Sequence, residues 1–177
     1  MNLEQAIKIA VEAHTGQVDK GGNPYILHPL RVMLSLDTEQ ERIVGVLHDV
    51  VEDCAPEGYQ WDRGGFSHFH QLSKKQQPEE NTWEHLIAEG LDESLFDALQ
   101  SVSKTPEEEA EYRSLPDVQK LDHYLRFIER AKANEISRQV KAADIKDNLD
   151  ISRIDDITQK DIHRLNRYKA ALKLIGA

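Results

Sequence analysis

The stretch ERIVGVLHDVVEDC, Glu41 to Cys54, decides how this chain is read. Its apolar residues Ile43, Val46, Leu47, Val50 and Cys54 return at the spacing of one helix face. Thr38, three residues ahead of Glu41, has the form of a capping box that opens the helix. Set among these residues are His48, Asp49, Glu52 and Asp53. His48 and Glu52 lie one turn apart, as do Asp49 and Asp53, so two neighbouring stripes each carry a polar pair. On a surface helix such stripes face water. Inside a core, three carboxylates without compensation would cost several kcal/mol each, and a bound cation would remove that cost.

Working outward, helical periodicity recurs almost everywhere. Leu3, Ala6, Ile7, Ala10 and Val11 form one buried stripe ahead of Gly16. Gly21, Gly22 and Pro24 then force a turn, and a second segment from about Leu27 to Leu36 carries Pro29 in its first turn. Beyond Cys54 the pattern stops. Pro56, Gly58, Gly64, Gly65 and Pro78 bracket a polar excursion at about 55–81, long for a loop inside a compact domain. The pattern resumes at Thr82, pauses at Gly90, continues from Glu93 to Val102, and restarts at an N-cap and N1 pair, Thr105-Pro106. Two longer amphipathic stretches follow at about 118–132 and 135–151, and a last one at about 158–174. No alternating strand and no internal repeat interrupts them. The expected fold is all-α, one compact helical bundle in which residues 1–177 form a single domain.

Composition narrows the function classes. The 177 residues hold 22 Lys+Arg against 32 Asp+Glu, a formal charge of −10. Such a surface repels phosphate backbones and anionic lipid, so neither general nucleic-acid nor membrane binding is expected. With 6% aromatic residues there is little for stacking single strands. No apolar run approaches the ~20 residues of a membrane span. The opening MNLEQAIKIAVEAH lacks a basic n-region and reads as a helix, which points to a cytoplasmic protein. The single cysteine, Cys54, excludes an internal disulfide and a Cys-rich zinc site.

Two further segments carry ionisable residues where core is expected. His28 stands in NPYILHPL, held between prolines, and Asp144 stands one turn before Asn148 in KAADIKDN, beside the small Ala142 and Ala143 that permit close helix approach. Alone, His28 reads as a satisfied core histidine and Asp144 as a surface carboxylate. Together with His48 and Asp49 they make a mixed N/O set of two imidazoles and two carboxylates, neutral overall with a divalent ion. That set suits manganese, iron or zinc better than calcium or magnesium. His14 is read as a packing or hydrogen-bonding residue near the pocket.

The order His28, His48-Asp49, Asp144 resembles the H…HD…D signature of the HD phosphohydrolase superfamily. More narrowly, AHTGQVDKGGNPYILHPL, LHDVVED and KAADIKDN resemble the hydrolase domain of RelA/SpoT-type alarmone enzymes, above all the stand-alone small alarmone hydrolases. The resemblance runs from Ala6 to about Tyr168 and leaves out the 55–81 excursion.

It implies an HD-domain helical bundle in which His28, His48, Asp49 and Asp144 bind a metal, manganese in preference to iron or zinc. Glu52 and Asp53 correspond to the acidic pair that handles the attacking water. Lys20 and Lys104 correspond to basic residues of the nucleotide pocket, Asn148 to the residue on the sugar, and Arg164 and Tyr168 to a late motif lining the same pocket. The implied reaction is metal-dependent release of pyrophosphate from the 3′-diphosphate of guanosine 3′,5′-bis(diphosphate), with a small-molecule nucleotide as substrate. Asp19 and Asp150 stand where long relatives often have arginine, and Ile151 lacks a hydroxyl that some present. These departures keep two alternatives open: the same chemistry on another nucleotide, such as an adenosine alarmone or a 2′- or 3′-phosphorylated dinucleotide, and a nucleotide-sensing domain without turnover.

Overall fold

A computed structural model describes residues 1–53, 82–152, 154 and 156–177, with the side chains of Asp53 and Asp117 set aside. The excursion expected at 55–81, with Cys54, lies outside the described residues. The described residues are helical: α1 (Leu3–Ala13), α2 (Leu27–Leu34), α3 (Glu39–Leu47), α4 (Val50–Asp53), α5 (Thr82–Ala88), α6 (Glu93–Val102), α7 (Pro106–Ser114), α8 (Asp117–Lys132), α9 (Glu135–Asn148) and α10 (Gln159–Ile175). Among them the only extended pairing is an isolated bridge between Val18 and Pro24.

Helix starts follow their local chemistry. Asn2, Thr38, Thr105 and Thr158 each accept the backbone N–H three residues on, while Gln5, Glu41, Glu108 and Asp161 return the bond to the cap. Pro106 occupies the first turn of α7, where its missing N–H leaves no bond unmade. Gly90, at φ +94°, separates α5 from α6 in a conformation that favours glycine.

One expectation fails in an instructive way. The run Glu41–Cys54 is not one helix: α3 ends at Leu47 and α4 begins at Val50, with His48-Asp49 as a turn. A continuous helix would offer the Gly45 carbonyl to the Asp49 N–H. Here that carbonyl receives His48 Nδ1 at 2.7 Å. The stretch expected at 135–151 likewise closes early, at Asn148.

Helix α9 is the axis of the fold. It packs on α2, α3, α6, α8 and α10, and Ser137 and residues 140–145 are buried. Such all-round burial belongs to a central helix rather than an amphipathic one. Val140 and Ala143 join the core built from α1 to α6, whereas Ala142 and Ile145 join a second cluster with Tyr124, Phe127, Ile128, Ala171 and Ile175. Lys141 and Asp144, buried on the same helix, therefore stand at the seam between two apolar clusters.

Phe96, with no exposed surface, packs its ring 4.7 Å from Trp83 at the centre of the first cluster. Phe96→Ala is expected to destabilise the protein by about 3–5 kcal/mol in urea unfolding followed by tryptophan fluorescence. A loss below about 1 kcal/mol would place this ring outside a packed core.

Candidate metal centre

Three segments meet at the seam. His28 enters from the first turn of α2, His48 and Asp49 from the break between α3 and α4, and Asp144 from the middle of α9. Both imidazoles are anchored by Nδ1. That of His28 lies 2.7 Å from Asp147 Oδ2, and that of His48 lies 2.7 Å from the Gly45 carbonyl. Both partners are acceptors, so Nδ1 carries the proton on each ring, and a neutral ring presents a bare lone pair at Nε2.

The Nε2 atoms converge on carboxylates. His28 Nε2 is 3.4 Å from Asp49 Oδ2 and 3.3 Å from Asp144 Oδ1. His48 Nε2 is 3.2 Å from Asp49 Oδ2 and 3.7 Å from Asp144 Oδ1. The donor atoms of His28, His48 and Asp144 all lie within 4.8 Å of one another. His48 Nε2 is buried and, among the described residues, has no hydrogen-bond partner. Buried lone pairs facing carboxylate oxygens repel each other unless positive charge sits between them. A divalent cation held by these nitrogen and oxygen donors answers that need, so the residues present fit a metal ion.

The proton affinities express the same demand. Burial works against a charged His28, but its bonds to Asp144 and Asp147 overcome that and carry its pKa to about 9. Burial likewise opposes protonation of His48, and Asp49 and Asp144 nonetheless lift it well above the ordinary range. Asp49 and Asp144 resist the neutralising pull of burial. His48 holds Asp49 down, and Lys141, 2.7 Å from Asp144 Oδ2, is foremost in holding Asp144 down.

Above these groups opens a cavity of about 390 Å³. Its lining includes Lys20, His28, Asp49, Glu52, Lys104, Asp144, Asn148, Arg164 and Tyr168, that is, every expected site residue except His48, which lies beneath it, and Asp53. The Asp53 side chain lies outside the described residues. Burial raises the Glu52 carboxyl despite Lys104 and Lys141; its Oε1 accepts the Lys104 N–H at 2.7 Å, and its Oε2 stands 3.6 Å from Lys104 Nζ. Asn148 donates its amide to Asp144 Oδ1 at 2.6 Å, so it props a carboxylate of the centre. Lys20 and an Arg164 Nη each lie 3.2 Å from one oxygen of Asp161. Asp19 and Asp150 also line the cavity and accept the N–H groups of Gly21 and Asn23, and of Ser152, which makes them turn-forming residues as well. His14 is buried outside the centre, bonded to Gln17 at 2.8 Å and packed against Tyr25.

Several participants escape the sequence reading. Tyr25 donates its hydroxyl to Asp49 Oδ2 at 2.7 Å. Lys141, by contrast, stands on the face of Asp144 that its spacing predicts; it is buried against that carboxylate and lies 4.8 Å from the centre of the Phe127 ring. Asp147 backs His28 and is itself gripped by Arg31. The signal for the last pair was present as spacing: Arg31 follows His28 by three and Asp147 follows Asp144 by three, so each shares a helix face with a candidate ligand. Glu109, which reads as one of three solvated helix-start acids, in fact holds Lys104 Nζ at 3.2 Å.

Comparison with known proteins agrees with the motifs. The chain is 44% identical over 55 residues to a putative chloroplastic GTP diphosphokinase of Arabidopsis thaliana. It is 39% identical over 56 residues to the guanosine-3′,5′-bis(diphosphate) 3′-pyrophosphohydrolase of Vibrio cholerae. To the bifunctional (p)ppGpp synthase/hydrolase of Escherichia coli it is 43% identical over 63 residues. The matched stretches amount to 29–33% of this chain and only 6–9% of the relatives' lengths. No family model matches the chain. The likeness to RelA/SpoT-type proteins, which the motifs imply, thus holds at the level of the family.

A raised His28 pKa has a signed consequence. Its proton stabilises the ion-free fold fully below the usual 6.5, and that contribution disappears as pH rises through about 9. With chelator present, Tm is expected to fall between pH 6.5 and 9. Saturating Mn²⁺ should flatten the fall, because the ion replaces the proton. Equal stability at both pH values in chelator would contradict this account of the centre.

Proposed function

We propose that this chain is a manganese-dependent hydrolase that removes the 3′-diphosphate of guanosine 3′,5′-bis(diphosphate)-type alarmones as pyrophosphate, with His28, His48, Asp49 and Asp144 as its metal ligands. The observation that carries the reading is the convergence of two buried imidazole lone pairs and two carboxylates at the floor of a cavity that also holds four cationic side chains. The names of the relatives supply the substrate class.

When bound, the ion would polarise the phosphoryl group and acidify a water. The chain's own residues do the rest. Tyr25 and Asn148 fix the orientation of Asp49 and Asp144, so the ligand oxygens are set before any substrate enters. Glu52, which burial makes a better proton acceptor than an exposed carboxylate, takes the proton from the attacking water. Asp53 is its partner in this reading. Lys104 lies against Glu52 and Glu109 at the cavity wall, and with Lys20 and Arg164 it offsets phosphate charge locally in a protein of net charge −10. Asn148 retains its side-chain oxygen as an acceptor for a ribose hydroxyl. Burial keeps the Tyr168 and Tyr124 phenols neutral, so they wall the cavity without adding negative charge.

Asp19 and Asp150 on the lining support a second reading, in which the same groups act on an adenosine alarmone or another phosphorylated nucleotide. The decisive experiment supplies purified protein, with and without Mn²⁺, with guanosine and adenosine 3′,5′-bis(diphosphate) and follows pyrophosphate release. Mn²⁺-dependent turnover of the guanosine compound is expected; turnover of the adenosine compound alone selects the second reading, and tight binding without turnover of either identifies a sensing domain. Asp49→Asn and Asp144→Ala should abolish turnover, and full activity in either at saturating Mn²⁺ would overturn the ligand assignment. Glu52→Gln should lower kcat by about 10²–10⁴-fold while leaving Mn²⁺ affinity nearly unchanged.

A further inference from the structure

Behind the centre, on the side away from the nucleotide cavity, lies an ion pair with no part in the chemistry above. Arg31 sits one turn beyond His28 on α2, and Asp147 one turn beyond Asp144 on α9. Arg31 Nε reaches Asp147 Oδ1 at 2.6 Å, and an Arg31 Nη reaches Asp147 Oδ2 at 3.1 Å, a two-point grip that fixes the plane of the carboxylate. The same Oδ2 accepts His28 Nδ1–H at 2.7 Å. The Asp147 side chain is only 12% exposed, whereas the Arg31 side chain is 37% exposed and borders a second groove with Ser35, Asp37, Glu41, Gln139 and Lys146.

We propose that Asp147, oriented by Arg31, is a positioning residue that holds the proton of His28 on Nδ1 and so delivers its Nε2 lone pair to the cation. This rests on the metal centre of the preceding reading but not on the identity of the substrate. The physical reason is the two-sidedness of imidazole: a neutral ring with its proton on Nε2 would aim an N–H at the ion and could not ligate there. His48 is secured against that by a backbone carbonyl of the preceding helix α3, which no side-chain substitution removes. Among the described residues His28 has no such local acceptor; its Nδ1 is bonded by a side chain 119 positions away. A carboxylate in that place also makes the ring a stronger donor to a cation. The pair therefore couples α2 to α9 and fixes the His28 ring in one step.

The test compares wild type with Asp147→Asn, Asp147→Glu, Arg31→Gln and the Arg31→Gln/Asp147→Asn double variant. Mn²⁺ binding is read from the loss of the free-ion paramagnetic resonance signal, and thermal unfolding is recorded in chelator. Asp147→Asn is expected to weaken Mn²⁺ binding about ten- to a hundred-fold. Arg31→Gln should weaken it by less, and Asp147→Glu should restore part of the loss. The double variant should bind no worse than Asp147→Asn, because Arg31 acts through Asp147. Raising Mn²⁺ should return kcat in Asp147→Asn with substrate KM near that of wild type, a rescue that a merely structural role would not give. Unchanged Mn²⁺ affinity in Asp147→Asn, or lost turnover that excess Mn²⁺ fails to restore, would overturn the proposal while leaving the centre intact. Failure of wild type itself to bind Mn²⁺ would remove the centre and the proposal together. If Asp147→Asn does not fold, Arg31→Gln decides by the same criteria, since its side chain borders the open groove.

Discussion

The rest of the structure depends on one electrostatic constraint: two imidazole nitrogens and two carboxylates are driven together in a buried seam, where their lone pairs need positive charge. Helix α9 creates the constraint by carrying Lys141 and Asp144 through the middle of the bundle, where a central helix would ordinarily be apolar all round. The neighbours are organised to meet it. Tyr25, Asn148, Lys141, Asp147 and the Gly45 carbonyl each bond one atom of the four converging side chains, and the Nε2 atoms of both imidazoles are left to face the carboxylate oxygens.

The break between α3 and α4 shows how a local detail serves that arrangement. In an unbroken helix, His48 and Asp49 would diverge by about 100° around the axis. At the turn they place Nε2 and Oδ2 within 3.2 Å of each other. Adjacent residues can then address one point in space, and the side-chain bond to Gly45 that competes with the helix also fixes the tautomer of His48.

Much of this was legible in the letters, and the reasons are local. The capping box at Thr38 and the N-cap and N1 pair Thr105-Pro106 declare helix starts because each signal lies within a few residues of sequence. His28, His48-Asp49 and Asp144 stand out because charge in an apolar run demands an explanation. Less legible was whatever depends on how two helices face each other. Asp147 looks like any helix-end acid until α2 brings Arg31 and His28 against it. Glu109 looks like a solvated acid until the turn at Ser103-Lys104 folds a lysine onto it. Periodicity could not foresee the break at His48, since a side-chain hydrogen bond to the backbone leaves the apolar spacing intact.

The short stretch shared with far longer relatives, some named as synthases and some as hydrolases, cannot by itself say which chemistry a chain performs. What the seam adds is a donor set of nitrogen and oxygen atoms that fits a divalent cation. The cavity lining adds one more consequence. Five carboxylates, those of Asp19, Asp49, Glu52, Asp144 and Asp150, share it with four cations, Lys20, Lys104, Lys141 and Arg164. At neutral pH the raised proton affinities of His28 and His48 add positive charge to that balance, and a doubly charged guest would take the place of those protons. Cation uptake at the seam would thus release protons, and the grip on the cation would tighten as pH rises.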